Sequence, residues 1–88
     1  MNEATEKLAN AIIIQAVKDY RAAYRRMLRN PENREYKMEV QMQERFFHSD
    51  WYEALTDADG GRLIEKVQEM EKIRFRKKKE AEHGATGT

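Results

Sequence analysis

Residues 46–61 read FFHSDWYEALTDADGG and gather four of the chain's eight aromatic side chains, two of its four glycines and its one serine. Ser49 stands directly before Asp50, Trp51, Tyr52 and Glu53. That is the position of a helix N-cap followed by acids in the first turn, where the helix dipole favours negative charge. A short third helix is expected from there. Thr56 and Asp59, three residues apart, repeat the pattern as a capping-box-like pair with Asp in place of Glu, and are expected to open a fourth helix carrying Leu63, Ile64, Val67 and Met70. Gly60 and Gly61 fall in its first turn. Glycine inside a helix costs about 1 kcal/mol against alanine, so two together imply close approach by another backbone or an aromatic ring, with Trp51 the expected neighbour. The stretch reads as a corner in which Phe47 and Trp51 anchor the core while the chain turns twice.

Upstream, Leu8, Ala9, Ile12, Ile13, Ala16, Val17, Tyr20, Ala23, Tyr24 and Met27 recur at helical spacing and predict a first helix over 3–29. They span an arc of about 180° on a helical wheel, wide enough to pack against two neighbours. The opposite side carries Lys7, Lys18, Arg21, Arg25 and Arg29. The three arginines stand one turn apart, and like charges at that spacing cost roughly 0.2–0.5 kcal/mol per pair unless a negative group lies over them. The acidic middle of the chain or an external anion is expected to supply it. Asn30 as cap and Pro31 in the first turn are expected to open a second helix over 31–47, with Tyr36, Val40, Gln43 and Phe47 on one face and Met42 and Phe46 beside it. So short a turn predicts an antiparallel hairpin. Past Ile73 the pattern decays into RFRKKKEAEHGATGT. The domain is expected to span residues 1–80, with 81–88 a disordered tail.

The expected fold is all-α: a small helical bundle with a long N-terminal helix, a helical hairpin, a short third helix and a long C-terminal helix. Composition agrees. The 88 residues are 40% hydrophobic and 38% charged with a single proline, and strand-forming residues are sparse outside one isoleucine run. There is no cysteine, which excludes disulfides and thiolate chemistry. The N-terminal apolar run follows no basic start and is interrupted by Lys7, Asn10 and Gln15, so neither a signal peptide nor a membrane span is expected and the location is taken as cytoplasmic.

Net charge is only +1, but it is unevenly distributed. Residues 18–34 carry six basic and two acidic side chains, 35–59 two basic and seven acidic, and 60–88 eight basic and five acidic. Segments of alternating sign can neutralise one another as they pack, and any surplus on one face is open to a partner.

Neither catalysis nor a cofactor is expected. Ser49 has His48 beside it, but adjacency on the chain is not the geometry of a nucleophile and its base. Glu44, His48 and Asp50 would form at most a weak metal site, explained better by a surface histidine, and the DADGG run lacks the later oxygen ligands of a calcium loop. Nucleic-acid binding has a clearer basis. Lys72, Arg74, Arg76, Lys77, Lys78 and Lys79 surround Phe75, and the arginine stripe of the first helix offers a second basic surface. A solvated helix end whose cations complement the dipole accounts for the same residues.

The blocks AIIIQAVKDYRAAYRRMLRNP (11–31) and ERFFHSDWYEALTDADGGRLIEKV (44–67) resemble small proteins carried by prophages and integrative elements of Gram-positive bacteria. The run FF-x-S-x-W-(x)3-LT-x-x-DG is the more specific part, with His48 and Gly61 where arginine and glutamate are commoner. The resemblance brings no catalytic residues. It implies a context in which small helical proteins disable host defence, so a non-enzymatic, anti-CRISPR-like inhibitor of an RNA-guided nuclease is the leading expectation. The partner would then be a host protein, met through Glu35, Glu39 and Asp50 or through Arg21 and Arg25. A nucleic-acid-binding accessory protein and a self-associating helical module are the alternatives.

Overall fold

The computed structural model describes residues 3–86, with side chains through Glu80. It holds four helices, α1 (Glu3–Arg29), α2 (Arg34–Phe47), α3 (Asp50–Leu55) and α4 (Gly60–Thr86), and no strand among the described residues. The expected tail over 81–88 falls outside the residues whose side chains are described. α1 places Glu3 and Glu6 in its first turn and Arg26 and Arg29 in its last, the arrangement its dipole favours. α2 runs antiparallel to it: Arg26 meets Glu39 near one end of the pair and Tyr20 meets Glu44 further along. α4 runs parallel to α1, since Gln68 lies against Tyr20, Glu71 against Arg21 and Arg25, and Phe75 shares a cleft with Leu28. The bundle is thus three long helices, up, down and up, with α3 as the corner.

Two helix starts lie later than the sequence predicts. Residues 30–33 form a turn closed by Asn33 N–H donating to the Asn30 carbonyl at 3.0 Å, with Pro31 at the second position, where its fixed φ fits. Asn33, not Asn30, then caps α2 by accepting from Tyr36 N–H at 3.1 Å. Likewise α4 is capped by Asp59, whose Oδ1 accepts from Arg62 N–H and whose carbonyl accepts from Leu63 N–H. Thr56 instead accepts from Ala58 N–H and closes a local turn.

At the corner, the Ser49 hydroxyl does two things. It donates to the Phe46 carbonyl at 2.6 Å, satisfying the end of α2, and accepts from Tyr52 N–H at 3.1 Å, starting α3. This sets the phase of α3 so that Tyr52 is buried and Trp51, one residue earlier, is turned outward with 61% of its surface exposed. Trp51 is therefore not a core anchor; it leans edge-on against Phe46 at 5.8 Å. Phe47 is one, packed against Tyr20, Phe46 and Tyr52 with ring centroids 5.3–5.8 Å apart. The glycine contact is real but its neighbour differs: a Cβ on Gly60 would lie 2.0 Å from the Phe47 carbonyl oxygen and 3.2 Å from the Tyr52 ring. Gly60 lets α4 start directly against the end of α2.

The core joins Tyr20, Ala23 and Tyr24 of α1, Val40 and Phe47 of α2, Tyr52 of α3, and Ile64 and Val67 of α4. Leu8, Met42 and Met70, expected inside or beside it, are exposed.

Candidate functional site

The stripe that places Ile64 and Val67 in the core continues along α4 to Glu71, which is buried to 1% exposure. A carboxylate so placed needs partners, and α1 supplies two. Arg21 Nε donates to Glu71 Oε1 at 2.9 Å, while Arg25 donates through Nε to Oε2 at 2.9 Å and through Nη2 to Oε1 at 3.1 Å. The counter-charge for Arg21 and Arg25 thus comes from α4 and not from the acidic middle of the chain, while Arg29 has no ion-pair partner among the described residues. Burial by itself would raise the Glu71 carboxyl, but the bonds and charges of Arg25 and Arg21 outweigh it and hold the group below the ordinary glutamate range. Arg25 is correspondingly raised by its bond to Glu71.

A second polar cluster lies deeper. Tyr20 O–H, fully buried, donates to Glu44 Oε2 at 2.6 Å, and Gln68 Nε2 donates to both the Tyr20 oxygen (2.9 Å) and Glu44 (3.2 Å). Burial first, and the Glu44 carboxylate second, push the Tyr20 hydroxyl well above the ordinary tyrosine value, so it stays a donor. This cluster ties α1, α2 and α4 together. It also engages the Glu44 carboxylate with Tyr20 and Gln68. Among the described residues no group of three or more His, Asp or Glu side chains is placed to hold a metal ion.

Beyond Glu71 the α1–α4 seam opens. One cleft of about 360 Å³ is lined by Arg25, Arg29, Glu71, Arg74, Phe75 and Lys78. A neighbouring one of about 490 Å³ is lined by Leu28, Arg29, Pro31, Phe75, Lys78 and Lys79. Together they bring five cations and one carboxylate to a single groove, a formal surplus of four positive charges. Arg29, Arg74 and Lys78 have no ion-pair partner among the described residues. Phe75 is half-buried between the clefts, with Lys79 Nζ 5.1 Å from its ring centroid.

Of the basic residues singled out in the sequence, Arg74, Lys78 and Lys79 therefore converge with Arg25, whereas Lys72, Arg76 and Lys77 are exposed and line neither cleft. Arg21 faces Glu71. The acidic set does not converge. Glu39 is held by Arg26 at 2.7 Å, while Glu35 is exposed in the first turn of α2 and Asp50 is exposed at the start of α3, past the other end of α2. Arg29 belongs to the arginine stripe that the sequence offered as a second basic surface, whereas Glu71 was not among the residues the sequence pointed to as a site. The signal for Glu71 was its place four residues after Val67 on an apolar face, opposite arginines left without a counter-charge.

Compared with protein-family models, curated proteins and solved structures, the chain finds no match. No helix among the described residues is long and apolar enough to cross a membrane.

Proposed function

We propose that this chain is a non-enzymatic nucleic-acid-binding protein that grips the phosphate backbone in the groove between α1 and α4. The observation that carries this reading is the convergence of Arg25, Arg29, Arg74, Lys78 and Lys79 from two helices on one groove, against a single carboxylate that is already bonded. A protein of net charge +1 gains little from diffuse attraction, so a local surplus of this kind supports contact at one face. Glu71 favours the same reading, because an arginine held along one edge by a carboxylate presents its remaining N–H groups in a fixed direction.

The test is fluorescence anisotropy of labelled oligonucleotides with the full chain, titrated at several salt concentrations. Four phosphate contacts predict a slope of log affinity against log salt of about −3. Reversal of Arg74 and Lys78 to glutamate should weaken binding more than tenfold and flatten that slope by at least half. Absence of salt-sensitive binding by the parent chain overturns the proposal.

The inhibitor of a host RNA-guided nuclease is the second reading, favoured by Trp51. An exposed tryptophan flanked by Asp50 and Glu53 has the character of a protein-contact anchor rather than of a phosphate site. A cleavage assay with purified nuclease, guide and target separates the two: inhibition lost in Trp51→Ala but kept in the Arg74 and Lys78 reversals would put a protein contact first.

A further inference from the structure

Resting on the nucleic-acid reading, we infer that the groove takes a single strand, with one unpaired base stacked on Phe75 and its flanking phosphates held by Arg29, Arg74 and Lys78. Phe75 continues the stripe that begins with Val67 and Glu71, yet it lies level with the end of α1, where Leu28, Arg29 and Pro31 are its neighbours, and so it is only half covered. Both clefts beside it mix apolar and cationic lining: Leu28, Pro31 and the ring itself offer apolar surface that suits the flat face of a base, and Arg25, Arg29, Arg74, Lys78 and Lys79 offer charge that suits phosphate. A base beside its own phosphates presents that same combination, and stacking of bases on aromatic rings lined by cations is how sequence-tolerant single-strand binding is achieved.

Access argues the same way. Phe75 lies in the seam between α1 and α4 and is half covered by its neighbours. A duplex carries its phosphates on the outside and keeps its base faces stacked, so it would touch the rim cations without reaching Phe75. Only an unpaired base has a free face to offer. Lys79 Nζ lies over the ring. Its long side chain swings aside at small cost as a base enters, and its ammonium is then left near the following phosphate.

The test compares a labelled oligothymidine strand with the same strand paired to oligoadenine. The parent chain should bind the single strand at least tenfold more tightly. Phe75→Leu should weaken single-strand binding about tenfold while leaving the salt slope unchanged, because it removes a π face and no cation. Phe75→Trp keeps an aromatic ring and should bind at least as tightly as the parent, which guards against a Leu variant that fails to fold. Equal or tighter binding of the duplex, unchanged binding by a folded Phe75→Leu, or loss of binding by a folded Phe75→Trp overturns the stacking inference while the phosphate reading stands. No salt-sensitive binding of either probe sinks both.

Discussion

The two ends of the α1–α4 seam are built on different principles. At the corner, where α2 hands the chain to α3 and α4, fit is by shape: the rings of Tyr20, Phe46, Phe47 and Tyr52 meet edge to face, and Gly60 lies against the Phe47 carbonyl. At the other end, fit is by charge, with Arg21 and Arg25 on Glu71 and an open cationic groove beyond. Side-chain volume is the sensitive variable at the first and side-chain charge at the second. Substitutions should therefore separate cleanly, the corner failing in stability and the groove in binding.

The largest loss belongs to the corner. Phe47→Ala empties a site that is 2% exposed and should cost about 3–5 kcal/mol, enough to unfold most of a domain this small, as read by chemical denaturation. Gly60→Ala should cost about 3 kcal/mol, since the intruding Cβ meets backbone that cannot swing away. The neighbouring Gly61→Ala should change stability by less than about 1 kcal/mol, its Cβ meeting only the Asp59 and His48 side chains. If Gly60→Ala melts with the parent, the tight approach of α4 to α2 is wrong.

Next comes the ion cluster. Glu71→Gln should cost about 2 kcal/mol, less than a fully buried pair, because both arginines are a third or more exposed and can turn to water. The pH dependence follows from the direction of the shift. Glu71 is lowered in the folded chain, so its contribution is complete above the unfolded value, about 4.3, and is lost as pH falls through the lower folded value. Thermal melts of the parent should fall through that acid range. Those of Glu71→Gln should fall less steeply, and parallel curves would show that the cluster does not respond to acid.

Two buried tyrosines give a smaller, paired test. Tyr20→Phe removes a hydroxyl bonded to Glu44 and Gln68 and should cost about 1 kcal/mol. Tyr52→Phe removes a buried hydroxyl that has no hydrogen-bond partner among the described residues, and should cost nothing measurable or stabilise slightly. A larger loss at Tyr52 than at Tyr20 would reverse the assignment of the polar centre. Smallest of all, reversal of Arg74 and Lys78 should leave melting within about 0.5 kcal/mol of the parent, so that any loss of binding is chemical and not structural.

The all-helical architecture was legible because apolar spacing, one proline and the Ser49 cap agree on where helices run and stop. The bounds of α1 and the end of α2 follow from that pattern, and the starts of α2 and α4 do not. Each of those starts offered two cap-competent residues, and the local turn, not the residue type, decided between them. Trp51 was misplaced for a related reason: size argues for burial, whereas the phase imposed by Ser49 puts Tyr52 inside. The basic cluster of the proposed site was visible as composition. Which of its cations converge depends on the register of α4 against α1, set by Gln68 on Tyr20 and by Glu71 on Arg21 and Arg25, and the run of cations past Ile73 does not declare that register by itself.

The parallel course of α1 and α4 has a consequence for the order of assembly. Arg26 and Glu39, on the hairpin, are separated by 13 residues, while Arg21 and Glu71 are separated by 50. Contacts that close short loops form early and those that close long ones form late, so α1 and α2 can pair while α4 is still free. Native-state hydrogen exchange should accordingly find the amides of α4 opening as one unit at lower free energy than those around Tyr20 in α1. The groove would then be the last feature to appear on folding and the first to vanish on partial opening, and anything lodged in it would act as a clasp holding the final helix in place.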